Sequence, residues 1–198
     1  SRVLEWAKNH GAKRVVFSSS SAIYGDGSGP NSPYGLHKSM SEMECKLYSE
    51  LYGLDTVCLR YFNAYAEDQE YGGSYSTVIS AWMELIKQSK PLRIDGDGEQ
   101  TRDYIHVDDI VSANLFCANY EGKFAGSCFD VGTGEAISLN SVKEFVKERY
   151  KVKWQQAPER EGDVRHTLAS IKPLQDLGWE AKIKIADGLK KCFIGETK

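Results

Sequence analysis

An apolar run that ends in four consecutive serines sets the outline of what this chain can fold into. Val15, Val16 and Phe17 read as a buried strand, and Ser18, Ser19, Ser20 and Ser21 follow where a parallel strand opens toward a ligand. Pro33 then starts a helix that runs to about Gly53, with Met40, Met43, Leu47 and Leu51 as its apolar stripe. On that helix Tyr34 and Lys38 are four residues apart, so they share a face, one turn above the other.

That pair carries chemistry. A free tyrosine, with a pKa of about 10, is a poor base at neutral pH, and a neighbouring ammonium favours the phenolate. Ser20, at the end of the strand, supplies a second hydroxyl for the same reacting oxygen. A serine with Tyr-x-x-x-Lys suits the removal of a hydride from an alcohol carbon. Tyr-x-x-x-Lys alone is common on solvated helix faces; the strand and the serines before it give the pair its weight.

The rest of the chain alternates between periods of two and 3.6. Helices are expected over 1–10, 33–52, 75–89, 107–120 and 138–150, the last with Ser138 as N-cap, and shorter ones near 170–177 and 185–195. Strands are expected over 14–19, 55–61, 92–94, 127–131 and near 153–156, and residues 62–76 as a polar loop. Strands alternating with helices imply a parallel α/β sheet.

Composition removes several classes of function. The chain has 198 residues, 41% of them apolar, which is enough to bury a core. Its net charge of −3 and scattered basic residues give no support for a nucleic-acid partner, and no apolar run approaches the length of a membrane span. Five cysteines (Cys45, Cys58, Cys117, Cys128 and Cys192) are odd in number and widely spaced, which reads as buried thiols in a reducing cytoplasm. No metal is expected. Asp103, His106, Asp108 and Asp109 are read as fixing a loop and capping the next helix, and Asp130 and Thr133 as structural.

Seven segments together resemble the extended short-chain dehydrogenase/reductases, in particular the nucleotide-sugar 4-epimerases. They begin at Phe17 (Phe-Ser-Ser-Ser-Ser-Ala-Ile-Tyr-Gly), Ser32 (Ser-Pro-Tyr-Gly-Leu-His-Lys), Leu59 (Leu-Arg-Tyr-Phe-Asn), Gly96 (Gly-Asp-Gly-Glu-Gln-Thr-Arg-Asp-Tyr-Ile-His-Val-Asp-Asp), Phe129 (Phe-Asp-Val-Gly-Thr-Gly), Arg160 (Arg-Glu-Gly-Asp-Val-Arg-His-Thr) and Leu177 (Leu-Gly-Trp). The resemblance implies an α/β fold: the C-terminal part of a Rossmann-type parallel sheet plus a smaller α/β substrate-binding domain. Residues 1–62 and 101–134 are assigned to a partial NAD-binding domain, and 63–100 and 135–198 to the substrate domain, so the two interleave. No Gly-x-Gly-x-x-Gly between a strand and a helix occurs in the sequence, and about the first third of the family's chain is expected to be missing. The loop Asp26–Asn31 is short beside the family's.

The resemblance also implies roles. Tyr34 is the base, Ser20 bonds the reacting oxygen, and Lys38 holds the nicotinamide ribose of NAD. Ser18, Ser19, Tyr61 and Phe62 join Tyr34 and Lys38 in lining the cofactor site. Substrate binding falls to Ser20, Asn63, Val78, Arg102, Arg160, Asp163 and Thr167, the two arginines matching a diphosphate with planar forks. Ser21 and Ala22 stand where related dehydratases and decarboxylases place acids, which favours epimerisation. The small Thr167, and the segment Tyr75-Ser-Thr-Val-Ile-Ser-Ala-Trp, resemble enzymes that accept N-acetylated hexoses. UDP-N-acetylglucosamine and its galacto epimer are therefore preferred, with UDP-glucose or a uronic acid as alternatives. A homodimer through the helix at 33–52 and the first helix is implied as well.

Overall fold

The computed structural model describes residues 2–71, 77–160 and 162–193. In chain order the elements are α1 (Arg2–Asn9), β1 (Arg14–Ser20), a 3-10 turn (Ser21–Ile23), α2 (Pro33–Tyr52), β2 (Asp55–Tyr61), β3 (Asn63–Tyr65), α3 (Val78–Lys87), β4 (Leu92–Asp95), β5 (Thr101–His106), α4 (Val107–Asn119), β6 (Ser127–Val131), β7 (Ala136–Ser138), α5 (Leu139–Lys147), β8 (Trp154–Ala157), α6 (Lys172–Gln175) and α7 (Ile185–Cys192). They form a mixed α/β fold with parallel sheets.

The first sheet has the order β1-β2-β6, all parallel. Its central strand is covered on both faces, which is why it reads as a nearly unbroken apolar run. Val57 and Leu59 pack toward α4 with Val131, Ile110, Ala113 and Cys117, while Cys58 packs on the opposite side with Cys45 of α2 and with Leu4 and Ala7 of α1. A second sheet has β5 at its centre, parallel to β3 and antiparallel to β7. The third is the parallel pair β4-β8, with α3 and α5 packed through Ile79, Trp82, Val142 and Val146 around Leu92 and Ile94. Each such fully buried side chain contributes about 1.5–3 kcal/mol.

The long helix α2 is bounded as its sequence demands. Ser32 caps it by accepting from the Gly35 N–H at 3.1 Å, Pro33 opens it, and Gly53, at φ +69°, closes it by donating to Ser49. Its apolar stripe turns outward: Met40, Met43, Leu47 and Leu51 are all at least half exposed. The face packed on the sheet carries Gly35, Glu42 and Cys45 instead. Helix α1 lies beside it, with the Tyr48 hydroxyl donating to Glu5 at 2.9 Å, and leaves Val3 and Trp6 exposed as well.

Ser138 caps α5 by accepting from Ser141, as the sequence predicts. Three strands depart from expectation. Residues 62–76 carry β3 rather than loop alone, and β5 and β7 were not expected as strands. All three are short or polar; β5 buries Tyr104 and Ile105 in the two cores, and its Asp103 is buried because it is hydrogen-bonded. Of the helix expected at 170–177 a single turn forms, α6. Residues 75–76 of the third expected helix, and the end of the last one beyond Phe193, lie outside the described residues.

Gly35 is where α2 meets the 3-10 turn that follows the serines. A Cβ there stands 2.3 Å from the Ala22 carbonyl oxygen, so no side chain fits without moving one against the other. Gly35→Ala is expected to lower stability by about 1–3 kcal/mol, measured by urea denaturation. An unchanged midpoint shows that the turn yields freely and does not fix the helix.

Candidate active site

Strand β1 delivers the serines and α2 delivers the tyrosine and lysine. Ser20 ends the strand and caps the 3-10 turn, its Oγ accepting from Ala22 N at 3.2 Å. Tyr34 is the second residue of α2 and is 39% exposed, open enough to meet a substrate. Lys38, one turn on, donates from Nζ to the Ser18 carbonyl at 2.6 Å and lies 5.6 Å from the centre of the Tyr34 ring. An ammonium has three donors, so the Ser18 contact leaves others to serve a ligand. Ser18 Oγ sits 2.9 Å from the Tyr61 hydroxyl, which also bonds Asn114 of α4. Phe62 is buried and held through its N–H to the Val131 carbonyl.

Ser19 points the other way. Its hydroxyl donates to Glu42 Oε1 at 2.5 Å, and Glu42 is buried against Arg60 of β2. The Arg60 guanidinium grips both carboxylate oxygens, Nε to Oε1 at 3.0 Å and Nη2 to Oε2 at 2.7 Å. Its remaining nitrogen donates to the Tyr24 hydroxyl at 2.7 Å, which donates in turn to Asp130 Oδ1 at 2.7 Å. Asp130 Oδ2 accepts from Ser170 N. Burial, then the bond to Asp130, pushes the Tyr24 phenol up to about 12, so it stays protonated as the donor in this chain. For Glu42, burial acts to raise the pKa, but the bonds from Arg60 and Ser19 outweigh it and leave the carboxyl below its ordinary 4.5.

A cavity of about 460 Å³ lies in the region of β4, β5 and α3. It collects Asn63, Val78, Arg102, Arg160 and Asp163 from the residues expected to bind substrate. Arg102 donates to Asp163 at 2.7 Å, and Arg160 pairs with Asp95 at 2.5 Å. Asn63 donates to the Thr167 hydroxyl at 3.1 Å and to the Asp103 carbonyl at 3.2 Å. Thr167, Ser20, Tyr34 and Lys38 are not among the lining residues, so the expected substrate residues divide between the cavity and the end of β1.

The acidic residues of the β5–α4 segment are engaged structurally. Asp103 accepts from Thr133 N and Oγ1, Gly134 N and Ala169 N. Asp109 accepts from the backbone of Lys182 and Ile183, and His106 caps α4 by accepting from Asp108 N at Nδ1 while its Nε2 meets Glu67 at 2.9 Å. Sequence reasoning passed over Glu42, Arg60 and Tyr24, and the cavity residues Trp82, Arg93 and Asp95. Signals existed for some: Glu42 continues the Tyr34, Lys38 spacing by another four, and Arg60 is a charge in an otherwise apolar strand.

Comparison with known proteins agrees with this geometry. Residues 1–132 match the model of the NAD dependent epimerase/dehydratase family, and the chain belongs to that family. A UDP-N-acetylglucosamine 4-epimerase of Methanobrevibacter ruminantium, solved with UDP-N-acetylmuramic acid, is 32% identical with a TM-score of 0.89, covering 96% of this chain and 65% of its own. The UDP-glucose 4-epimerase of Thermotoga maritima, solved with UDP-glucose, is 34% identical at TM-score 0.86, with the same 96% and 65% coverage. A UDP-glucuronate 4-epimerase of Thermodesulfobacterium geofontis is 33% identical over 96% of this chain and 61% of its own length. The chain therefore spans roughly three fifths to two thirds of the length of these relatives.

The lowered pKa of Glu42 has a consequence for stability. A carboxyl held below its unfolded value stabilises the fold above that value, and the contribution is lost as pH falls below about 4.5. Glu42→Gln is expected to be less stable than the parent at pH 7, by about 1–3 kcal/mol, and to lose less on going to pH 4. Urea midpoints at the two pH values test this; equal losses in both proteins refute it.

Proposed function

We propose that this chain carries the acid–base residues and the nucleotide-sugar pocket of an NAD-dependent UDP-hexose 4-epimerase. The observation that carries the reading is the pairing of two parts in one fold: Ser20, Tyr34 and Lys38 at the end of β1, and a cavity presenting Arg102 and Arg160. Tyr34 accepts the proton of the sugar's 4-hydroxyl, and Ser20 donates a hydrogen bond to the same oxygen. NAD, when bound, supplies the acceptor for the hydride at C4 and its return to the opposite face. Lys38, with donors to spare beside Ser18, fits the nicotinamide ribose, and Tyr61 and Phe62 flank that end. Arg102 and Arg160 clamp the diphosphate while the 4-keto sugar turns over, and Asp163 accepts from the ribose.

The sugar is read as N-acetylglucosamine/N-acetylgalactosamine or glucose/galactose. Small Thr167, bonded to Asn63, supports room for an acetamido group. Residues 1–62 and 101–134 are taken as the cofactor part and 63–100 with 135–198 as the substrate part. A second reading is binding of a nucleotide sugar without turnover. It is favoured by the separation of the cavity that holds Arg102 and Arg160 from Ser20, Tyr34 and Lys38, which do not line it. Among the described residues no helix is long and apolar enough to cross a membrane, and the thiols are unpaired, which supports a cytoplasmic setting. The outward face of α1 and α2, with Trp6, Met40, Met43, Leu47 and Leu51, supports a homodimer.

Two measurements test these readings. Proton NMR of UDP-N-acetylglucosamine with the chain and added NAD should show the galacto epimer, and Tyr34→Phe should slow it by about 10²-fold or more. Binding without any epimer supports the second reading; epimerisation that survives Tyr34→Phe removes the assigned base. By native mass spectrometry the chain should be a dimer that Met43→Asp with Leu47→Asp converts to monomer. A parent that is monomeric at micromolar concentration refutes the dimer.

A further inference from the structure

Arg102 and Arg160, the two cavity arginines assigned to the diphosphate, are both ion-paired, but they are held differently. Arg102 is 14% exposed, and its guanidinium is fixed on three sides: Nη1 donates to the carbonyls of Thr101 and Arg165, and Nη2 to Asp163. Arg160 is 66% exposed, and its ion pair is with Asp95 Oδ2 at 2.5 Å. Asp95 in turn is 12% exposed and has a second cation, because Arg93 Nε donates to its other oxygen, Oδ1. A nearly buried carboxylate needs a cation beside it. With two, Asp95 can release one and remain neutralised.

We propose that Asp95 stands in for the substrate diphosphate on Arg160, and that a nucleoside diphosphate binds by taking Arg160 from Asp95 while Arg93 keeps the carboxylate paired. The inference rests on the nucleotide-sugar reading above and adds to it a residue that sets ligand affinity. A guanidinium fork accepts carboxylate and phosphate oxygens in the same geometry, so the exchange swaps one charge-assisted pair for another. The doubly charged diphosphate outcompetes a single carboxylate, whereas a weakly charged ligand does not. Asp95 thus lowers affinity for every anion and tightens the requirement for two phosphates. Arg102 has no such exchange to make and receives the ligand in place.

Calorimetric titration of UDP into the chain and into Asp95→Asn, Arg93→Met and the double variant tests the hand-over, each at a temperature below its own melting transition. Asp95→Asn should tighten UDP about threefold, the scale of an exposed ion pair. Arg93→Met should weaken UDP by about the same factor, because Asp95 then has Arg160 alone, and this loss should vanish in the Asp95→Asn background. Binding by Asp95→Asn with none by the parent also supports the hand-over. Unchanged or weaker binding by Asp95→Asn overturns it, as does an Arg93→Met loss that is equal in both backgrounds. Absence of UDP binding in all four proteins removes the nucleotide-sugar reading and this inference with it.

Discussion

The carboxylate of Glu42 is buried and charged, and the bidentate grip of Arg60 makes that tolerable. Removing one partner from such a pair costs about 1–3 kcal/mol, since the other group loses its charged partner. Its position matters more than its energy. Glu42 lies on the stripe of α2 that also carries Tyr34 and Lys38, and it reaches Ser19 on β1 and Arg60 on β2, two residues directly opposite each other in the sheet. The pair therefore sets how α2 is rotated and how far it slides along the strands. Lys38 then meets the Ser18 carbonyl, and Gly35 allows the helix to close on the Ala22 turn. The exposed residues at the end of β1 owe their arrangement to a buried charge.

Asp103 does for the second sheet what Glu42 does for the first. Its four accepted hydrogen bonds tie the Thr133–Gly134 turn and Ala169 to the middle of β5. The neighbouring Arg102 points into the cavity, and the Asp103 carbonyl receives Asn63. Satisfaction of one buried carboxylate thus aligns the strand that supports the cavity arginine Arg102 with the strand that follows Phe62.

How much of this is legible without coordinates depends on which force builds each part. The β1–α2 unit announces itself, because apolar period, serine run, proline and Tyr-x-x-x-Lys spacing all agree on one local structure. Strands β3, β5 and β7 do not, since they are short and the apolar residues they bury are interrupted by polar ones such as Asn63, Arg102 and Asp103, which are satisfied by long-range hydrogen bonds. The stripe of Met40, Met43, Leu47 and Leu51 is real in period, yet periodicity cannot say which of two faces meets the sheet; here a polar face wins because Glu42 has Arg60 to pair with. Arg102 and Arg160 stood out as guanidiniums for a diphosphate. Asp95, the anion paired with Arg160, lies two residues beyond Arg93 on one face of a four-residue strand, a spacing without meaning until Arg160 arrives from the far end of the chain.

On the proposed function, the chemistry and the recognition are carried by separate constructions, and this bears on substrate choice. In that reading proton transfer depends on groups fixed by β1 and α2, while nucleotide capture depends on the cavity built from β4, β5, α3 and the segment around Arg160. Relatives of nearly equal identity, 32 to 34%, are named for N-acetylglucosamine, glucose and glucuronate. On the proposed reading the nucleotide clamp and the acid–base pair act on the parts those sugars have in common, the diphosphate and the 4-hydroxyl. What distinguishes them then falls to other contacts, and the reading proposed above assigns the acetamido position to the Asn63–Thr167 pair. Both side chains are small, and each is held by a backbone strand pairing at its own end, Asn63 to β5 and Thr167 to Thr101. On the proposed reading the acetamido group is accommodated by the space that two fixed backbones leave between them rather than by a dedicated charged contact.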